Sequence, residues 1–364
     1  MSAITEMNEG NVFEFGIYTL GDISIDPVTG HTISPSARMK EIVAAAKLAD
    51  EAGLDVFGVG EHHRLDFVVS SPPVVLAAIA QATSRIRLTS ATTVLGTSDP
   101  VRVFEDFATL DLLSDGRAEI IVGRGAYVES FPLFGYELDN YKDLFSEKIN
   151  LLLELNMHKR VTWEGKLRSS LKNAEIAPRP LQKRLPVSIG VGGTPSSAEL
   201  AGQLGTEMTL AILGGDPAKF KSLVDVYKAA GIAAGHKPEA LKVAITSHGY
   251  IANSSKQARD EFYPYYASYV AQFMGGSARG EQLSREQFEQ LTSPVNALAI
   301  GSPEEIVEKI LAQHELFGHN RFMAQFDIGA VPYSKVAASI ELLATKVAPV
   351  VKRELSKKRI LQIQ

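Results

Sequence analysis

Residues 99–125 read DPVRVFEDFATLDLLSDGRAEIIVGRG. Asp99 followed by Pro100 marks a helix start. The carboxylate suits the N-cap, where it accepts a free backbone N–H, and proline suits the first helical position, where its missing N–H costs nothing. The stretch then closes on RAEIIVGRG, a short apolar run of strand character ending in Gly123-Arg124-Gly125. A helix that feeds a buried strand is the repeating half of an α/β fold. The same small-polar–proline start recurs at Ser34-Pro35, Ser71-Pro72, Thr194-Pro195, Asp216-Pro217 and Ser302-Pro303. Ser302 also has Glu305 three residues on, a capping-box pattern.

Seven further apolar runs share that strand character: VFEFGIYTL, DVFGVGE, IRLTSATTVLG, PVSIGVGG, EMTLAILGG, LKVAITSHGYIA and RFMAQFDIG. They are nearly continuous in apolar residues, which fits parallel strands buried on both faces. Helical stretches separate them, such as ARMKEIVAAAKLADEAG, with Met39, Ile42, Val43 and Ala46 on one face and Gly53 at its end. About eight strands, each followed by a helix, predict a (β/α)8 TIM barrel. A doubly wound open sheet is the rival, and the absence of GxGxxG after the first strand counts against it. The 364 residues are expected to form a single barrel domain, 1–364, with insertions after strands 4 and 7 and before strand 5. The last of these could hold a short hairpin around Glu164-Gly165. The largest, residues 253–294, contains YPYYASYVAQF and the glycine-rich GGSARGE and is expected to act as an active-site lid.

A net charge of −5 argues against a general nucleic-acid binder. The absence of cysteine excludes disulfides, thiolate metal sites and thiol nucleophiles. MSAITEMNEGN has neither a basic n-region nor an apolar h-region, so no signal peptide is expected. No run approaches the ~18 apolar residues of a membrane span. The expectation is a soluble, cytoplasmic protein.

Barrel active sites form at the C-terminal ends of the strands. Glu61, His62 and His63 follow strand 2, Thr92 and Thr93 lie near the end of strand 3, and Arg124 ends strand 4. Gly192, Gly193 and Thr194 follow strand 5, His248 ends strand 7, and Asp327 ends strand 8. An arginine between glycines lets backbone and guanidinium approach a ligand closely; a structural ion pair with an acid such as Glu61 is the alternative. VGGTPSSAEL opens a helix at Thr194 with Ser197 in its first turn, which makes an anion site from free N–H groups and the helix dipole. Arg124 and that helix start together suggest a phosphate held between strands 4 and 5. His62, His63, His248 and Asp327 have a second use as metal ligands, but an adjacent pair suits one ion poorly and the H-x-H spacing of barrel hydrolases is missing, so no metal is expected. The aromatics Tyr127, Phe131, Phe134, Tyr263, Tyr265, Tyr266 and Phe273 fall in the insertions after strands 4 and 7 and either line an apolar substrate pocket or pack those insertions onto the barrel.

EHH after strand 2, DPVRVFEDFATLDLLSDGRAEIIVGRG, LDNYKDL and VGGTPSSAELAGQLG resemble the bacterial luciferase-like superfamily of flavin-dependent oxidoreductases. The resemblance covers most of the chain. It implies a TIM barrel that binds FMN or, in some branches, a deazaflavin. Arg124 and Lys142 look like the basic phosphate contacts, Thr194 and Ser197 like the phosphate-binding hydroxyls, and Gly192 and Gly193 belong to the same turn. Glu61 falls beside the flavin site, His62 on a position of acid–base work and His63 on its neighbour. Ala91-Thr92 matches a family site of a non-proline cis peptide. Gly123 departs from the pattern, standing where luciferase has a cysteine near the flavin, which argues against light emission.

The function implied is an FMN-dependent monooxygenase, with reduced FMN and O2 as co-substrates and NAD(P)H as electron donor, directly or through a separate flavin reductase. Its substrate would be a small molecule, apolar where the insertion aromatics line its pocket, and a homodimer is implied. A deazaflavin-dependent oxidoreductase, a non-catalytic flavin-binding protein and a metal hydrolase are the competing readings.

Overall fold

A computed structural model describes residues 13–125, 127–274 and 283–363. Eight parallel strands close into a ring: β1 Glu14–Thr19, β2 Val56–Val59, β3 Arg87–Ser90, β4 Ala118–Gly123, β5 Val187–Val191, β6 Glu207–Ala211, β7 Val243–Ile251 and β8 Arg321–Gln325. Each pairs with its sequence neighbours, and β8 returns to β1 through Glu14↔Arg321 to Ile17↔Ala324. Closure leaves no open edge and excludes the doubly wound sheet. All eight apolar runs of the sequence become barrel strands, because a strand packed on the barrel interior on one side and on helices on the other is buried on both faces.

The helices that cover the barrel include α1 Pro35–Ala52, α2 Pro72–Ala82, α3 Pro100–Leu113, α4 Tyr141–Met157, α5 Pro195–Leu204 and α6 Lys221–Ala233. Ser34 and Asp99 cap α1 and α3 by accepting N–H groups of the first turn. Thr194 occupies the N-cap of α5 without making that bond, so its hydroxyl is not used by the helix. Between β4 and α4 the described residues include one helical turn at Ser130–Leu133 and a 3-10 turn at Leu138–Asn140, and an antiparallel hairpin, Arg160–Trp163 with Leu171–Glu175, precedes β5. The long insertion after β7 contains α7 Ser255–Tyr269, which continues as a wider turn over Val270–Met274, and α8 Arg285–Leu291. The expected lid stretch GGSARGE, 275–281, lies outside the described residues. A further helix, α9 Pro303–Phe317, then leads to β8.

The capping box expected at Ser302–Glu305 is only half made. Ser302 accepts the Glu305 N–H at 3.4 Å, but the Glu305 carboxylate turns to Arg259 at 2.6 Å and to the Ser255 hydroxyl, whose oxygen accepts the Ser302 N–H at 3.1 Å. A full box forms instead at Ser284–Gln287.

Inside the barrel, the N-terminal end is plugged by charge. Arg321 of β8 reaches Glu14 at 2.7 Å and both Glu119 oxygens at 2.8 and 3.2 Å, while Arg87 joins the same acids. Burial alone would raise the Glu119 carboxyl, but Arg321 and Arg87 hold it below its ordinary value. Above this layer sit Tyr18, Val56 and Met323. The opposite end is open.

Candidate active site

At that open end the strand termini enclose a cavity of about 520 Å³, a size that suits a small-molecule ligand. Its wall includes Glu61 and His62 after β2, Ala91 and Thr92 after β3, Gly123 and Arg124 at the end of β4, and Gly192, Thr194 and Ser197 after β5. The Ala91–Thr92 peptide is cis. The sequence reading thus brings most of its candidates to one place.

Three candidates lie elsewhere. The chain leaves β2 at Val59, so strand alternation does not govern residues 61–63. His63 turns from the cavity to bond Glu61 Oε1 through Nε2 at 2.8 Å, with its ring edge-on to Phe134 at 5.0 Å. Lys142 is exposed on α4 and does not line the cavity; Tyr141, one residue earlier, does. Gly193 adopts a φ of 130° and is also outside the wall.

Arg124 has no carboxylate within ion-pair distance among the described residues. Its guanidinium lies 4.9 Å from the Tyr141 ring centroid. The alternative of a pair with Glu61 is not formed, since Glu61 is committed to His63 and to the Val94 N–H, which it accepts at 2.9 Å. An uncompensated cation therefore faces the same cavity as the unused Thr194 hydroxyl and buried Ser197.

Thr92 fills the space between two strands. A Cβ on Gly123 would stand 2.7 Å from Thr92 Oγ1, and one on Gly190 would stand 2.9 Å from Thr92 Cγ2. Glycine at 123 is thus a packing requirement here, which accounts for the departure from cysteine.

His62 lines the cavity with its ring 4.1 Å from Phe67 and 5.3 Å from Tyr127, centroid to centroid. Burial, reinforced by Arg64 and His63, pushes its pKa down to about 4. His248 also lines the wall, 3.3 Å from the Tyr266 hydroxyl, and burial lowers it to about 3. Both imidazoles are neutral near pH 7. Asp327 is held elsewhere, by Thr19 and by Arg38 at 2.7 Å. The histidines and Asp327 do not converge on a metal, and no cluster of three or more metal-ligating side chains occurs among the described residues.

Sequence reasoning missed Tyr18, Tyr141 and Tyr269, all of which line the cavity. For Tyr18, alternation along β1 was an available signal; for the other two, only the fold supplies it. Of the insertion aromatics, Tyr127 and Phe273 reach the wall, while Phe131, Tyr265 and Tyr266 are buried in packing.

A family model for luciferase-like monooxygenases matches residues 13–320. The chain belongs to the luciferase-like monooxygenase family. Relatives include the oxygenase component of a flavin-dependent trigonelline monooxygenase of Acinetobacter baylyi, 23% identical over 85% of this chain and 89% of that one. The crystal structure of monooxygenase RslO1 from Streptomyces bottropensis superposes with a TM-score of 0.80 at 25% identity, covering 93% of this chain and 99% of that one. The family fold also relates this chain to the oxygenating constituent of 3,6-diketocamphane monooxygenase from Pseudomonas putida, solved with FMN (TM-score 0.75, 19% identity, covering 93% and 98%). An F420-dependent secondary alcohol dehydrogenase shares the fold as well (TM-score 0.72, 18% identity, covering 93% and 99%).

Proposed function

We propose that this chain is an FMN-dependent monooxygenase that uses reduced FMN and O2 to oxidise a small organic substrate. The observation that carries the reading is the pairing of an unmatched guanidinium, Arg124, with an N-cap hydroxyl, Thr194, that its own helix does not use, at one cavity. A dianionic phosphate needs such a partner set: a planar cation, hydroxyl donors and free N–H groups at a helix start. Ser197 adds a second hydroxyl, and Gly192 lets the backbone come close. Lys142, exposed on α4, is a further basic contact available to a phosphate at that end.

Bound FMN would supply the oxygen-activating redox chemistry. The chain supplies orientation, a dry wall and proton handling. His62, neutral at physiological pH, offers a ring nitrogen that accepts a proton from substrate and returns it. His63 acts through Glu61, fixing the carboxylate that anchors the Val94 N–H beside the site. Electrons come from NAD(P)H, directly or through a separate flavin reductase. The exposed side chains of Val74 on α2 and of Leu112 and Leu113 on α3 fit a homodimer face. No helix among the described residues is long and apolar enough to cross a membrane, in keeping with a cytoplasmic enzyme.

Replacing His62 with alanine tests the assignment: substrate-dependent oxygen uptake should slow while FMN affinity stays nearly intact, and a large loss of FMN binding would contradict it. Anaerobic titration with a deazaflavin distinguishes the hydride-transfer rival, which requires tighter deazaflavin than FMN binding.

A further inference from the structure

Tyr127 and Phe273 line the cavity, and Phe67, which does not, packs against both, so three separate connections meet here. Phe67 follows β2, Tyr127 follows β4, and Phe273 belongs to the wide helical turn after α7. Phe67 lies 5.1 Å from Phe273 and 6.1 Å from Tyr127, and the Tyr127 hydroxyl donates to the Phe273 carbonyl at 3.5 Å. One residue ties these together from outside. The Arg64 guanidinium sits 4.9 Å from the Tyr127 centroid, 5.9 Å from Phe273 and 6.0 Å from Phe67. Asp66 grips it in a fork, Nε to Oδ1 at 2.9 Å and Nη2 to Oδ2 at 2.6 Å.

A solvent-exposed arginine rarely repays the entropy of being fixed by one acid alone. Here both members of the pair are three-quarters covered, at 26% and 23% side-chain exposure, and the planar cation rests among three rings. The arrangement holds the two lining rings, Tyr127 and Phe273, in fixed orientation, with Phe67 buttressing them from behind. Fixed rings reward a flat ring with edge or offset stacking beyond the area it buries, whereas a flexible chain gains area alone and loses more rotational freedom.

We propose that Arg64, clasped by Asp66, is a positioning residue that sets the Tyr127–Phe273 wall and thereby selects a planar aromatic substrate over an extended aliphatic one. This rests on the flavin reading of the opposite wall. Arg64 does not line the cavity, so its influence passes through the rings it holds.

The test uses FMN-loaded protein and two alcohols of equal carbon number, 2-naphthol and n-decanol, with dissociation constants measured by calorimetry. Wild type should bind the naphthol about tenfold more tightly, the upper range of an aromatic pair's gain. Arg64→Met should bring that ratio below about threefold while FMN affinity and thermal midpoint stay close to wild type, because the clasp touches neither the phosphate end nor the barrel core. Arg64→Lys, which keeps the cation without the fork, should restore part of the ratio. Asp66→Asn severs the clasp from the other side and is measured in parallel, so misfolding of one variant leaves the test intact. Equal affinity of wild type for the two alcohols, or an unchanged ratio in the variants, overturns the proposal. Failure of wild type to bind FMN in the loading step overturns the flavin reading and this inference with it, whereas FMN binding with a ratio near one overturns the inference alone.

Discussion

Adding a single methyl group at Gly123 probes the centre of the site without reference to any ligand. Built on the β4 backbone, that Cβ stands 2.7 Å from Thr92 Oγ1, 3.2 Å from Thr92 Cβ and 3.3 Å from Thr92 Cγ2. β4 cannot yield easily, since it is paired to β3 and β5 and, at its end, to Thr93–Val94. Gly190 on β5 blocks escape in the other direction, because Thr92 Cγ2 already lies where its Cβ would be, at 2.9 Å. Gly123→Ala is therefore an overpacking substitution and should cost about 1–3 kcal/mol. Thr92→Ala removes the Oγ1 and Cγ2 contacts and leaves only the 3.2 Å approach. In that background Gly123→Ala should cost less, with a coupling of about 0.5–3 kcal/mol in the double-mutant cycle. Urea denaturation of the four proteins at pH 7 measures it. Gly123→Cys should cost at least as much as the alanine and weaken FMN binding by displacing Thr92 into the cavity. A neutral Gly123→Ala, or a cost that Thr92→Ala leaves unchanged, refutes the packing argument.

Arg124→Met should weaken FMN binding about 10- to 100-fold, the loss of a charge-assisted contact worth ~1.5–3 kcal/mol, while thermal stability changes little because Arg124 makes no ion pair among the described residues; fluorescence titration reads the first and calorimetry the second. Arg321→Met leaves Glu14, Glu119 and Glu207 sharing the buried end of the barrel without their common cation, so stability should fall by about 3–5 kcal/mol at pH 7, and the deficit should shrink as pH falls and these acids take up protons. Acid should also destabilise the wild type. Burial lowers His62 from 6.5 to about 4 and His248 and His319 to about 3, so below pH 6.5 the unfolded chain binds protons that the folded chain refuses. Their contribution is complete above pH 6.5 and is lost as pH falls towards 3–4. Asp22, raised by burial from 3.8 to about 6, slopes the opposite way between those values, losing stability as pH rises. Burial also raises Glu41, Asp106 and Glu207, which slope the same way as Asp22. The three large histidine shifts should outweigh these acids, visible as a lower urea midpoint at pH 5 than at pH 7; an unchanged or higher midpoint at pH 5 contradicts it.

The barrel was legible because closure buries each strand on both faces, and that leaves eight nearly unbroken apolar runs punctuated by capped helix starts. The rim cluster proposed to hold a phosphate was legible for a related reason. Arg124, Thr194 and Ser197 sit at or just beyond strand termini, so their place on the rim follows from the strand count. His63 was not legible, since the chain has left β2 by Val59 and a pair of adjacent histidines is then sorted by partners rather than by alternation; Glu61 claims one and the cavity the other. The same limit applies to Glu305, whose local box was outbid by Arg259 and Ser255 from a distant helix. Tyr141 under Arg124, and Arg64 above three rings, depend on contacts between loops far apart in sequence, which no periodicity encodes.

Comparing FMN with riboflavin, which differs only by lacking the phosphate, isolates the central claim. Arg124, Thr194 and Ser197 together should make oxidised FMN bind at least about 100-fold more tightly, since a charge-assisted bond and two neutral ones exceed ~2.7 kcal/mol. That advantage should shrink in Arg124→Met. Equal affinity for the two flavins, or an FMN advantage untouched by the loss of Arg124, would place the anion elsewhere and contradict the account.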